Sequence, residues 1–309
     1  MKHRTAVTVV GSANMDLIVK SPRIPAVGET ILGTDFFMLP GGKGANQAVA
    51  AAKLGAKVHF VAKLGEDMYG TESLNNFNSV GIDTTNITRT KDAPSGVALI
   101  NIDDTGRNQI VVVPGANAKL SPSDIQSAAS AIEQSAVVVA QLEIQLATVL
   151  MAAELATKYD AQFILNPAPA QTLPAKLLAA ADILTPNETE ASLLTGIKVT
   201  DLDSARKAST KLLECGVKAV IITMGDQGFL LTTAKQNNFV KAIEVKAVDS
   251  TAAGDAFTGS LAAALAWGKS LEDAAYFANY VAALSVTKVG AQASMPTMKE
   301  VETFIAQKA

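Results

Sequence analysis

Asp249-Ser250-Thr251-Ala252-Ala253-Gly254-Asp255-Ala256-Phe257-Thr258-Gly259 joins two patterns of different kind. Before it, Phe239 to Val248 alternates apolar and polar residues, the period of a strand with one covered face. After it, Ala256 to Trp267 is small, apolar and free of proline, the composition of a buried helix. The linking residues have almost no side chain until a carboxylate, Asp255. Amides at a helix start lack partners and carry the positive end of the helix dipole, so they attract anions. Small residues let a phosphate approach that backbone. A carboxylate there would repel it. A site that needs both suggests phosphoryl transfer, with Asp255 taking the proton of an attacking hydroxyl. Taken alone, the stretch is slightly better explained as an Asp helix cap after a tight turn.

Outward from this stretch, the chain reads as alternating strand and helix. From Leu120 onward each apolar run is followed by a helical pattern, which predicts parallel βαβ units in an α/β fold. Ala6 to Gly11 is a β-branched first strand that runs into Ser12-Ala13-Asn14-Met15-Asp16. Strand C-terminal ends are where open α/β sheets bind ligands, and Asn14 and Asp16 can pair with sugar hydroxyls or simply build a turn. Glu143 ends another strand in the same way. Asn187 and Glu190, three apart at a helix start, fit a metal–phosphate unit or a capping box. Met224-Gly225-Asp226-Gln227-Gly228 fits a phosphate- or ribose-wrapping loop, or a plain hairpin.

Two segments break the βαβ rhythm. Residues 17–40 carry Pro22, Pro25, Gly28 and Gly33 between short extended pieces. Residues 96–114 hold two apolar strands around Asp103-Asp104-Thr105-Gly106, a hairpin signal. Together they predict one small sheet outside the main fold, suited to a lid that excludes water and to dimerisation through exposed apolar surface. The 309 residues are expected to form a single α/β domain, 1–309, carrying that lid.

Between the two segments lies Gly41-Gly42-Lys43-Gly44-Ala45-Asn46-Gln47-Ala48, opening a helix. It is not a P-loop, because Phe37 stands where the first glycine belongs and Gly44 follows the lysine. It is not a dinucleotide fingerprint, because Gln47 replaces the third glycine. A backbone pocket with Lys43 and Asn46 would suit a polyhydroxylated ligand; a glycine turn at a helix start is the plainer reading.

Composition narrows the function classes. A hydrophobic content of 49% supports a large core, and a net charge of −3 without a basic stripe argues against nucleic-acid binding. No apolar run reaches membrane-spanning length, and the N-terminus lacks a secretory pattern, so a soluble cytoplasmic protein is expected. The one cysteine, Cys215, excludes a disulfide framework and reads as a packed thiol at a helix C-terminus. The two histidines, His3 and His59, form no zinc cluster.

The stretches together resemble the ribokinase-type carbohydrate kinases, the phosphofructokinase-B family. Asp249 to Gly259 is similar to that family's C-terminal signature, Gly41 to Ala48 to its N-terminal one, and Asn187-Glu188-Thr189-Glu190 to its Asn-x-x-Glu element. The match extends from Gly11 to Ser294. One departure is Ala252, where the family at large prefers glycine. The resemblance implies a doubly wound, mostly parallel sheet with helices on both faces and a β lid, paired as a homodimer. It implies ATP-dependent phosphorylation of D-ribose at O5, with Mg²⁺ and an activating K⁺. Asp255 would be the base, and the amides of Ala252, Ala253, Gly254 and Asp255 the anion hole. Asn14, Asp16, Gly42, Lys43, Gly44, Ala45, Asn46, Glu143 and Asp255 fall on the sugar positions. Asn187, Thr223, Met224, Gly225, Asp226, Gln227, Gly228, Gly254 and Asn279 fall on the nucleotide positions; the family often carries His at the last. Asp249, Thr251, Ser285, Lys288, Gly290 and Ser294 match a potassium site, and Glu190 would support Mg²⁺ through water. The competing readings are a kinase for deoxyribose, fructose or adenosine, and a sugar-binding regulatory protein without catalysis.

Overall fold

The computed structural model describes residues 4–308; His3 lies outside them. The chain opens with β1 (Ala6–Val10), β2 (Asn14–Ser21), β3 (Asp35–Gly41), α1 (Lys43–Lys53), β4 (Lys57–Gly65), α2 (Met68–Ser79), β5 (Ile87–Thr90), β6 (Gly96–Asp103) and β7 (Asn108–Val113). Its middle runs α3 (Pro122–Ser127), α4 (Ala129–Glu133), β8 (Ser135–Ala140), α5 (Leu146–Lys158), β9 (Gln162–Leu165), α6 (Ala175–Ala180), β10 (Ile183–Leu184), α7 (Glu188–Thr195), α8 (Leu202–Glu214) and β11 (Ala219–Thr223). It ends with β12 (Gly228–Thr233), β13 (Asn237–Lys241), α9 (Ala253–Ala266), α10 (Leu271–Ser285) and α11 (Met298–Lys308).

The main sheet has nine strands in the order β13-β12-β11-β10-β9-β8-β1-β4-β5. Strands β5 through β11 in that array pair parallel, and β12 and β13 add an antiparallel edge. Both faces are covered, so the central strands are apolar throughout and the pleat sorts their side chains. Val137, Val139, Ile164 and Ile221 join a core with α1, α2, α9, α10 and α11. Val138, Ala140, Phe163, Leu165 and Ile222 join the opposite core with α3 to α8. The chain adds strands on one side of β1, then on the other, so β1 and β8 flank a switch point. Ligands bind at such points, beyond the strand C-terminal ends. Ser12, Asn14 and Glu143 lie there.

The two irregular segments form the expected small sheet, order β3-β2-β6-β7. Strand β2 starts on Asn14 directly after β1, so the small sheet grows from the switch point itself. Asp103 closes its hairpin by accepting from the amides of Thr105 and Arg107.

Helix α9 follows the decisive stretch. It is buried from Asp255 to Ala264. Gly259 packs directly on α1: a Cβ there would lie 2.4 Å from the Gln47 carbonyl oxygen. This close approach brings the polar residues of α1, Asn46 and Gln47, to Asp255.

Two expectations need correction. The strand expected over Phe239 to Val248 ends at Lys241. Past Lys241 the segment has no strand to pair with, and Ala242 to Val245 line a cavity instead. Cys215 does cap the C-terminus of α8, but its thiol is exposed, not packed. It stands one residue past the last amphipathic turn, where α8 leaves the core.

Candidate active site

Three adjoining cavities lie along the C-terminal edge of the parallel strands. The first, about 490 Å³, is lined by Asn14, Asn117, Leu142, Glu143 and Val112 among others. The second is a polar chamber of about 170 Å³ between Lys43, Asn166, Asn187, Glu190, Thr223 and Ala252 to Asp255. The third, about 530 Å³ and mostly apolar, lies between Gly225, Asp226, Asn279 and the segment 242–247. Ser250 and Ala253 line both the second and the third.

The first cavity is joined to the chamber by hydrogen bonds at the start of α1. Glu143 Oε2 accepts from Ser12 Oγ at 2.5 Å and from the Lys43 amide at 3.0 Å. Ser12 in turn receives the Gly44 amide on its Oγ and the Ala45 amide on its carbonyl. Gly42 makes this fold possible. Its φ is +89°, and a Cβ would lie 2.7 Å from the Asn14 amide nitrogen. Asn14 Oδ1 accepts from Asn117 Nδ2 at 2.7 Å, which leaves the Asn14 amide group facing outward as a donor.

Asp255 sits on the first turn of α9, only 5% exposed. Its Oδ2 accepts from Asn46 Nδ2 and its Oδ1 from Gln47 Nε2, both at 2.9 Å. Asn46 Oδ1 is buried and has no partner among the described residues. The amides of Gly254 and Asp255 also have none, and a Cβ built on Gly254 would meet nothing within 4 Å. The chamber floor is therefore open N–H groups at a helix start, with room above them.

Charges crowd this region. Burial, then the neighbouring Glu143 and Asp255, push the Asp16 carboxyl up to about 7. Burial by itself would lower Lys43; the carboxylates of Asp255, Glu143 and Glu190 outweigh it and raise the ammonium. Burial raises Glu190, against the Asn187 amide and Lys43. Glu190 forms a capping box with Asn187: its Oε2 takes the Asn187 amide and its Oε1 the side-chain Nδ2.

Most residues singled out from the sequence converge here. Asn14, Glu143, Lys43, Asn46, Asn187, Glu190 and Asp255 line or border the first cavity and the polar chamber, and Asp16 lies against Gly41 beside them. In the 223–228 loop, Gly225 and Asp226 line the third cavity. Met224 is a core side chain, Gln227 accepts the Ala242 amide, and Gly228 closes the hairpin. Asn279 lines the third cavity and donates to the Lys241 carbonyl. Of the potassium set, Asp249 gathers Thr251 (amide and hydroxyl) and the Gly290 amide, which hold its carboxyl low against burial. Ser294 Oγ bonds the Ala291 carbonyl and Lys288 Nζ pairs with Glu300, so their part in such a site falls to main-chain oxygen.

A family model of the pfkB carbohydrate kinases matches residues 4–298. The chain belongs to the pfkB family. A ribokinase of Haemophilus influenzae is 43% identical over 302 residues, covering 98% of this chain and 99% of that one. A deoxyribokinase of Salmonella typhimurium is 40% identical over 300 residues, covering 97% and 98%. Among solved pfkB-like structures, an Arabidopsis thaliana ribokinase complexed with ribose and ATP superposes with a TM-score of 0.92 at 34% identity, covering 98% and 99%. A Thermotoga maritima ribokinase gives 0.90 at 39% identity, with the same coverage.

Sequence reasoning missed several residues of this pfkB site. Ser12, Gln47, Asn117, Gln141 and Asn166 form its buried polar frame. A signal existed for Gln47: an amide inside the apolar run Ala45 to Ala52 must find partners when buried. The apolar walls of the third cavity, Ala242, Ile243, Val245 and Ala247 with Ala282 and Val286, carry no chemical signal.

Proposed function

We propose that this chain phosphorylates D-ribose at O5 with ATP. The observation that carries the reading is the place of Asp255. One of its oxygens is held by Asn46, a sugar-side residue, and its own amide belongs to the anion-binding turn on the nucleotide side.

The sugar lies against Asn14, Asp16, Gly42 to Asn46 and Glu143, with the orphan Asn46 Oδ1 free to accept a sugar hydroxyl. Adenine occupies the apolar third cavity beside Asn279, and the phosphates reach the chamber. Asp255 takes the O5 proton as O5 attacks the γ-phosphorus. The bond from that phosphorus to the bridging oxygen breaks and ADP leaves. The free amides of Gly254 and Asp255 stabilise negative charge on the transferred group, as an oxyanion hole does, whereas the Ala253 amide expected to join them donates to the Ser250 carbonyl. Lys43 adds a fixed positive charge in the chamber.

The oxygen donors present fit the two cations of the family. Each Glu190 oxygen accepts one bond from Asn187 and keeps a lone pair for a water on Mg²⁺. Mg²⁺, when bound, neutralises charge on the phosphates. The Asp249 carboxylate with main-chain oxygens at Thr251, Ser285, Lys288, Gly290 and Ser294 offers the all-oxygen set a K⁺ takes. The small sheet acts as a lid that excludes water. Its exposed Phe36, Met38, Leu99 and Val111 suit pairing of two lids in a homodimer. A reducing cytoplasm suits the exposed Cys215 thiol.

The test is a coupled ADP-release assay across ribose, 2-deoxyribose, fructose and adenosine, with and without K⁺. Ribose should give the highest kcat/KM. The 40%-identical deoxyribokinase favours 2-deoxyribose as the second reading, and a higher kcat/KM for it would replace ribose. No ADP with any acceptor would leave only a sugar-binding protein.

A further inference from the structure

We propose that Gln47 is a positioning residue that aims Asp255 at the attacking hydroxyl, and that Asn166 and Gln141 hold Gln47 in turn. The proposal rests on Asp255 acting as the base. Asp255 stands among the charges of Asp16 on β2, Glu143 after β8, Glu190 on α7 and Lys43 on α1. A carboxylate free to rotate there would turn with the balance of these charges, toward Lys43 and away from the other carboxylates. Two neutral amides set its plane instead, one on each oxygen.

These two amides differ in kind. Asn46 keeps an unpartnered oxygen for a ligand. Gln47 is 0% exposed, and every hydrogen bond it makes is internal. Its orientation is forced from behind. The Thr185 carbonyl can only accept, so Asn166 must turn its Nδ2 there, at 2.8 Å. Asn166 Oδ1 then faces Gln47 and can only accept, which turns Gln47 Nε2 toward it, at 3.1 Å, and toward Asp255. Gln47 Oε1 is left facing Gln141, whose Nε2 donates at 2.5 Å. The fixed point of the chain is thus a main-chain carbonyl at the end of β10, and its output is the plane of Asp255. The choice of amides has a chemical reason. An amide donor supports the carboxylate without a formal charge that would weaken it as a base, and it has no proton to give up.

The chain ends at Gln141 Oε1, which is buried without a partner. It lies beside Gly11, where a Cβ would be 2.1 Å away. Gly11 therefore provides the room that this last amide needs.

The experiment is a double-mutant cycle on the full chain with its best sugar acceptor. Gln47→Met keeps length and removes the donor. Its kcat should fall roughly tenfold to a hundredfold, the scale of a misplaced catalytic group, with sugar KM within about twofold. In an Asp255→Asn background the same change should cost less than about twofold, because the pair acts as a unit. Gln141→Leu, which removes support one step back, should lower kcat by a few-fold in the same pattern. It stands in if Gln47→Met does not fold. Equal fold-losses in both backgrounds, or a raised KM at unchanged kcat, would overturn the positioning role. Full turnover by Asp255→Asn alone would instead sink the general-base reading, so the two failures are distinguishable.

Discussion

Asn46 donates to Asp255 Oδ2 at 2.9 Å while its own Oδ1 stays buried without a partner. A buried acceptor left unpaired costs about 1–3 kcal/mol, so the site holds in reserve a bond that a sugar hydroxyl can complete. Asn46→Leu removes both functions. Sugar KM should rise about tenfold to a hundredfold, the equivalent of that penalty, and kcat should fall as well because Asp255 loses a donor. Steady-state kinetics over a sugar titration checks this; an unchanged KM would show that the sugar does not use Asn46.

Asp255→Asn should bind sugar nearly as well as the parent chain while kcat falls by roughly two to four orders of magnitude, the range for losing a general base. The substitution preserves shape and swaps one acceptor for a donor facing Asn46 or Gln47. Sugar affinity by calorimetry and turnover by ADP release separate the two effects. Turnover near the parental rate would remove the base from the mechanism.

Asp16 predicts a pH dependence with a definite sign. Its carboxyl is raised from 3.8 to about 7 in the folded chain. Between those values the folded state holds a proton that the unfolded state has lost. Stability should therefore fall as pH rises through that window, with the loss complete above the folded value. Melting temperatures measured from pH ~5 to ~8 should show this slope, and Asp16→Asn should flatten it. A sugar hydroxyl that donates to the ionised carboxylate favours that form, so sugar affinity should strengthen with pH over the upper part of the window. A slope that survives in Asp16→Asn would assign it to another group.

The fold was largely legible because a parallel sheet covered on both faces turns each strand into an apolar run. The turn before α9 was legible because glycine, small residues and a carboxylate coincide at a helix start. The polar frame was not. Gln47 meets Asp255 across 208 positions, Asn166 across 119 and Gln141 across 94, and no local pattern encodes such pairings. The strand over Phe239 to Val248 was overlong because alternation does not mark where pairing stops: β13 has no partner in β12 past Lys241.

The Asp249 carboxylate ties Thr251 to Gly290, and so anchors the segment that leads into the turn before α9. Replacing K⁺ with a bulky organic cation should lower kcat of the parent chain. Asp249→Ala should be slow in either medium, with the K⁺ response gone. A full K⁺ response in Asp249→Ala would move the cation elsewhere.

Ala252 enters α9 with φ +61°, a left-handed conformation for a residue with a Cβ. That conformation costs about 1–2 kcal/mol in an L-residue. Ala252→Gly would relieve it, but glycine also gains about 0.4–1 kcal/mol of freedom in the unfolded chain. The first effect is the larger, so the glycine variant should be as stable as the parent or more stable by up to about 1.5 kcal/mol, with turnover little changed. Ala252→Val has no such offset. A β-branched side chain is strongly disfavoured at positive φ and would also crowd the chamber that Ala252 lines. It should be less stable than the parent by more than about 1 kcal/mol, with a lower kcat as the amides of Gly254 and Asp255 shift. Thermal melts and ADP-release kinetics on the two variants decide the matter. A valine variant as stable and active as the parent would mean that the left-handed entry is not what holds the anion turn in place.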